Sequence, residues 1–241
     1  MSDDGGIDRA KLEEIVRRAV RQQIAEPRST STAAETTMSA SVESPLVVSI
    51  SARHVHLTQE HVEALFGPGA TLTIRKELYQ PGFFACEETV TIIGPRQRIL
   101  SPVRVLGPVR PHSQVELSFT DGIYMGIDLP VRASGKVDGT PGCVLVGPAG
   151  VIQLNQGAIR AERHVHMSLD DAAHYGVKNG DRMKLRIEST CTTVFEDLLV
   201  RADAASKLEV HLDTDEGNAV HLNIAKKFEL LRQDGGCGCN H

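Results

Sequence analysis

The stretch Ser51-Ala52-Arg53-His54-Val55-His56-Leu57 returns about a hundred positions later as Ala161-Glu162-Arg163-His164-Val165-His166-Met167. On a strand, residues two apart point to one face. His54 and His56 therefore present two imidazoles side by side with Val55 turned away, and His164 and His166 do the same. Paired imidazoles are a ready start for a metal site. A single His-x-His carries little weight, and duplication of a sheet could copy it for structural reasons alone. Repetition of Arg-His-Val-His, each time followed by an apolar residue, is the stronger signal.

A metal site needs more than two imidazoles. Glu116, in Gln114-Val115-Glu116-Leu117, and His211, in Leu208-Glu209-Val210-His211-Leu212, are the best additional ligands. Each is a polar residue flanked by apolar ones in a strand-like run, a costly position to bury without a partner. A solvated strand face would accommodate Glu116 equally well. The acidic run Asp213-Thr214-Asp215-Glu216-Gly217-Asn218 lacks the ligand spacing of an EF-hand and reads as a turn rich in capping side chains. Arg104 and Arg110 flank Gly107-Pro108, close to Glu116, and guanidinium suits bidentate binding of phosphate. Arg75 and Lys76 follow another strand-like run. Such a cluster would attract an anionic substrate, although each residue alone also suits a solvated surface.

The elements that must position these residues are mostly strands. Leu46, Val47, Val48 and Ile50 form a strand leading into the first His pair. Thr58 caps a short helix that carries His61 as an ordinary surface residue and ends at Phe66-Gly67-Pro68-Gly69. From Ala70 to about Ile159 the chain reads as strand with almost no helix, over 89–93, 99–106, 114–119, 142–146 and 151–154, between Gly-Pro, Asp-Gly and Pro-Gly turns. That pattern suggests a small β-barrel. The second half repeats the order: a helix over Ser168–His174 ending at Gly176, strands over 182–187, 193–200 and 208–212, then a polar stretch and a last short helix over 224–231.

Residues 1–26 read as an amphipathic helix, with Ile7, Leu12, Ile15, Val16, Ala19, Val20 and Ile24 on one face and arginines on much of the other. The stripe could pack on its own domain or dock on a helix of another protein. The Ser/Thr/Ala-rich linker 27–44 favours docking. The tail 232–241, with Cys237 and Cys239 among glycines, could bind metal or form a disulfide but reads as a disordered end.

Composition sets the outer bounds. A chain of 241 residues with 41% hydrophobic content fits a globular protein of two similar halves. A net charge of −5 argues against nucleic acid as the main partner. No apolar run is long enough for a membrane helix, and the N-terminus lacks the core of a secretory signal. Five scattered cysteines read as a reducing, cytoplasmic setting.

Arg-His-Val-His twice, Gly107-Pro108-Val109-Arg110, Ser134-Gly135 followed by Gly139-Thr140-Pro141-Gly142-Cys143-Val144-Leu145-Val146-Gly147-Pro148, and His211-Leu212-Asp213-Thr214-Asp215-Glu216-Gly217-Asn218-Ala219 together carry a family resemblance over residues 45–231. In combination they resemble the PduL-type phosphotransacylases, the phosphate propanoyltransferases of bacterial microcompartments. The amphipathic start and linker look like the encapsulation peptide of microcompartment cargo.

The resemblance implies two similar β-barrels capped by short helices: a first region over 45–160, whose strand 45–52 is exchanged into the second barrel, and a second region over 161–231. It implies a reversible reaction of a short-chain acyl-CoA (propanoyl or acetyl) with phosphate to give acyl phosphate and CoA. Two zinc ions would be held by His54, His56 and Glu116 and by His164, His166 and His211. Arg110 would handle phosphate, and Ser51, Lys76, Arg104, Leu106 and Asn218 would contact CoA. Recycling of CoA in the lumen of a microcompartment, docking to shell or cargo proteins through residues 1–26, and a homodimer or larger assembly also follow from the resemblance. Three protein ligands leave zinc an open position, and a thiolate is a soft ligand for it. Direct attack of phosphate, without an acyl-enzyme, fits the lack of an activated Cys or Ser. A dinuclear zinc hydrolase of thioesters or phosphoesters is the main competing reading, and a metal-stapled docking scaffold the third.

Overall fold

The structure is a computed structural model that describes residues 45–233. The strands are Val47–Ile50 (β1), His54–His56 (β2), Ile74–Glu77 (β3), Phe84–Ile93 (β4), Ile99–Gly107 (β5), Gln114–Glu116 (β6), Val131–Arg132 (β7), Cys143–Val146 (β8), Val151–Leu154 (β9), Ala158–Ala161 (β10), His164–Met167 (β11), Arg182–Glu188 (β12), Thr193–Ala202 (β13), Glu209–Leu212 (β14) and Lys227–Arg232 (β15). The α-helices are Gln59–Phe66 (α1), Phe119–Met125 (α2), Leu169–Tyr175 (α3) and Thr214–Ala219 (α4). The mainly β architecture expected from the turn-punctuated apolar runs is what the chain adopts: two curled, half-barrel sheets with few short helices.

The first sheet runs β7-β10-β6-β2-β5-β4-β8-β9, with β3 also on β4; the second runs β1-β14-β11-β13-β12-β15. Each curls around its own apolar core. Val55, Leu57, Val103, Val105, Val115 and Leu145 centre the first, and Val165, Met167, Leu185, Leu198, Val210 and Leu212 the second. Burying one such side chain contributes roughly 1.5–3 kcal/mol.

β1 is an edge strand of the second sheet, parallel to β14 with Ser49 beside His211 and Ile50 beside Leu212, while β2, a few residues on, belongs to the first. Gly217 on α4 has no side chain because Ile50 occupies the space: a Cβ there would lie 2.6 Å from Ile50 Cδ1.

Three local expectations need correction. Residues 224–231 are not a helix. A 3-10 turn over Leu222–Ile224 gives way to β15, which pairs antiparallel with β12. The alternation of buried Leu230 with exposed Leu231 is the period of two that decides it. The strand from Gln114 ends at Glu116, not Phe119, because Ser118 and Asp121 close a capping box and start α2. His61 is half-buried, its Nδ1 2.7 Å from Ser113 Oγ, rather than a free surface residue. The expectations for 1–44 and for most of the tail, Cys237 and Cys239 included, lie outside the described residues.

Candidate active site

Four short segments share one pattern: polar, Val, polar, apolar, helix cap. They are His54-Val55-His56-Leu57-Thr58, Gln114-Val115-Glu116-Leu117-Ser118, His164-Val165-His166-Met167-Ser168 and Glu209-Val210-His211-Leu212-Asp213. Val55, Val115, Val165 and Val210 are fully buried in the two cores, which turns the polar residues on either side to the opposite face. The side chains of Thr58, Ser118, Ser168 and Asp213 each accept the backbone N–H three residues on, fixing where each strand stops. β2 pairs antiparallel with β6, setting His54 opposite Glu116 and His56 opposite Gln114. β11 pairs antiparallel with β14, setting His164 opposite His211 and His166 opposite Glu209.

In the first half, the Nε2 atoms of His54 and His56 lie 3.2 Å apart. Glu116 Oε2 is 3.5 Å from His54 Nε2, and Glu116 Oε1 is 3.9 Å from His56 Nε2. Zinc–nitrogen bonds of about 2.0–2.1 Å in a tetrahedron put neighbouring donors about 3.3 Å apart, so this donor set fits a zinc-sized ion. His54 Nδ1 lies 2.8 Å from the carbonyl oxygen of Ala52 and His56 Nδ1 3.2 Å from that of Leu106. Protons held at these Nδ1 atoms leave both Nε2 lone pairs free for a ligand. Burial disfavours a charge on His54, but the Glu116 carboxylate outweighs it and raises the His54 pKa. Burial, then His54 and Arg110, drops His56 to about 3. Burial opposes the Glu116 charge as well, yet His54 and His56 hold its carboxyl far below the usual range. The pair thus favours positive charge where a cation would sit.

In the second half, His164 and His166 also place their Nε2 atoms 3.2 Å apart, and His164 Nδ1 lies 2.8 Å from the Glu162 carbonyl oxygen. His211 completes a second group of three donors; within each group all donor atoms lie within 4.8 Å of one another. Burial and neighbouring His211 lower His164 to about 3 and His166 to about 4, so both rings are neutral at pH 7. Glu209 stands behind His211, its Oε2 3.0 Å from Nε2, and also accepts from Ser49 Oγ at 2.6 Å and Gln80 Nε2 at 2.9 Å.

Both groups open on one cleft of about 710 Å³ between the sheets. Ser51, Lys76, Arg104, Leu106 and Arg110 line it with the His pairs, Glu116 and His211. Asn218 does not: it is exposed on α4, away from the cleft lining. Arg110 Nη1 donates to Ser134 Oγ at 3.0 Å, and Ser134 Oγ donates to Glu116 Oε1 at 2.9 Å. Arg104 is tied by Nη1 to the carbonyls of Cys86 and Glu87, both at 2.9 Å. Gly107 lets this segment pass the Phe84 ring, which a Cβ would meet at 2.2 Å. The acidic run after His211 binds arginines: Asp213 pairs with Arg160, and Glu216 with Arg160 and Arg163.

Sequence reasoning missed Gln114, Ser134, Gln80, Glu209 and Arg201 as members of the site. Gln114 is buried and donates to Glu116 Oε1 at 2.6 Å and Ser134 Oγ at 2.9 Å. The fourfold recurrence of polar-Val-polar-apolar-cap was the available signal for Gln114 and Glu209, each two residues before a member of a three-donor group.

A family model described as phosphate propanoyltransferase matches residues 47–223. The chain is 58% identical, over 98% of its length and 96% of the relative's, to a phosphate propanoyltransferase of Planctopirus limnophila. It is 47% identical to one of Lachnoclostridium phytofermentans, over 76% of this chain and 86% of that one, and 50% identical to one of Thermotoga maritima, over 74% and 85%.

Proposed function

The chain belongs to the phosphate propanoyltransferase family and is an acyltransferase of the phosphotransacylase kind, and we propose that it converts a short-chain acyl-CoA and phosphate reversibly to acyl phosphate and CoA at a two-metal centre. The observation that supports this reading best is the convergence of two three-donor groups and Arg110 on one cleft.

His54, His56 and Glu116 would hold one ion and His164, His166 and His211 the other; donor type and spacing favour zinc. Such ions, when bound, supply Lewis acidity toward the thioester oxygen, the phosphate and the departing thiolate. Arg110, oriented by Ser134, offers its guanidinium to phosphate and brings the attacking oxygen to the thioester carbon. Ser51, Lys76, Arg104 and Leu106 line the route by which CoA would enter, and Lys76 and Arg104 bring positive charge to its phosphates. Attack is direct, through a tetrahedral intermediate on the substrate. Burial pushes the Cys86 thiol up to about 11 and the Cys143 thiol up to about 12. Cys191 lies in the β12–β13 turn and does not line the cleft. None of these three is an activated nucleophile.

CoA recycling inside a microcompartment, docking to shell or cargo proteins through residues 1–26, and assembly into a homodimer or larger oligomer complete the reading. The amphipathic start and Ser/Thr-rich linker support the docking. No helix among the described residues is long and apolar enough to cross a membrane.

Product analysis tests the chemistry. Metal-loaded protein given propionyl-CoA, phosphate and hydroxylamine should yield hydroxamate well above that formed without phosphate or without protein, where the thioester alone reacts. Free propionate formed as fast without phosphate would make the protein a hydrolase instead.

A further inference from the structure

Arg201 lies near the end of β13, beside β11, in register with His166. Register neighbours on adjacent strands point to the same face, so its guanidinium shares the metal-facing side of the second sheet. It lines the cleft with Arg110, His164 and His166. In the first half, Leu106 follows Val105 in the corresponding place on β5, next to His56. The two halves therefore differ here by a full positive charge.

Among the described residues, none accepts a hydrogen bond from the Arg201 side chain or forms an ion pair with it. The nearby carboxylates are engaged elsewhere. Asp203 takes the hydroxyl of Ser206 and the backbone N–H groups of Ala205 and Ser206. Glu209 serves Ser49, Gln80 and His211. Burial lowers the Arg110 pKa, and Arg201 is close enough to lower it further. Two like charges facing one cleft repel each other, and an anion between them removes that cost.

We propose that Arg201 is a second phosphate-binding arginine, closing on the phosphoryl group from the second sheet while Arg110 closes from the first. This rests on the phosphotransacylase reading for its ligand. Arg201, being next to His166, would grip the group that reacts near the metals; Lys76 and Arg104 would remain for the phosphates of CoA. Guanidinium presents two parallel N–H donors to such a group, which a lysine at the same place cannot do.

The test is calorimetric titration of inorganic phosphate into the metal-loaded full chain, alongside titration of CoA without phosphate. Arg201→Gln should bind phosphate at least about tenfold more weakly, Arg201→Lys should fall between, and CoA affinity and metal content should match the unsubstituted protein. Phosphate affinity within twofold of the unsubstituted protein would overturn the proposal, as would a loss confined to CoA binding. If Arg201→Gln misfolds, Arg201→Lys with an unchanged melting temperature decides by the same criterion. Phosphate binding that depends on Arg201 in a protein that forms no acyl phosphate would sink the enzymatic reading and leave this one standing.

Discussion

Gln114 and Glu209 occupy equivalent places in the two halves: Gln114 faces His56 across β2 and β6, and Glu209 faces His166 across β11 and β14. Each touches the donor two residues on, Gln114 at Glu116 and Glu209 at His211. Each half thus has one carboxylate and one nitrogen-bearing partner, in exchanged roles. In the first, the carboxylate faces the metal position and the amide steadies it. In the second, imidazole faces the metal position and the carboxylate stands behind. Burial works against the Glu209 charge, but His211, Ser49 and Gln80 hold its carboxyl at about 2.

In the proposed two-metal reading, that arrangement makes Glu209 the orienting group behind His211. Glu209→Gln keeps the shape and removes the charge. Metal affinity of one site should fall roughly 10- to 100-fold, with the other unchanged. Metal analysis after dialysis against a weak chelator should show one ion retained per chain rather than two. Retention of both would remove Glu209 from this role.

The two groups should also load independently. His54→Ala and His164→Ala should each cost one ion per chain and lower acyl phosphate formation by about 100-fold or more, and the double variant should bind neither. Loss of both ions in either single variant would show one shared site.

Both groups of candidate metal ligands were largely legible in the chain because a strand's period of two makes His-x-His a statement about geometry, and because the motif occurs twice. Glu116 and His211 were legible only as polar residues in apolar runs. The rest was hidden for physical reasons. Ser134 and Gln80 come from loops that reach the site through the fold; Ser134 stood in a family motif, but neither had a local pattern that gave it a role at the site. Arg201 sits in a strand dense with other charges. Phe228 and Leu230 have apolar spacing too short to separate helix from strand, and pairing with β12 settles it. Asn218, carried over by motif position, is exposed on α4, away from the cleft lining.

The lowered imidazole pKa values predict an acid sensitivity of the chelated protein. His56, His164 and His166 stay neutral in the fold down to about 3, 3 and 4, whereas in the unfolded chain they protonate near 6.5. The unfolded state therefore binds more protons below about 6.5, and stability falls as pH drops through that window. His54, with its pKa raised, acts in the opposite sense: its contribution is full below about 6.5 and fades as pH rises through its folded value. Three groups against one predict a net fall in melting temperature between pH 6.5 and 4.5. A flat or rising profile would count against these environments.

Gly107→Ala tests how the arginine segment is held. The added methyl meets the Phe84 ring, and overpacking of this kind costs about 1–3 kcal/mol. A lowered melting temperature with both metals retained is expected. An unchanged one would show that the ring moves aside freely.

The central claim is that phosphate, and not water, takes the acyl group at a metal-dependent centre. Thiol release from propionyl-CoA, followed with and without phosphate before and after chelation, tests it most directly. The account predicts release that requires phosphate, disappears on chelation and returns with zinc. Release that continues without phosphate, or that survives complete removal of metal, would contradict it.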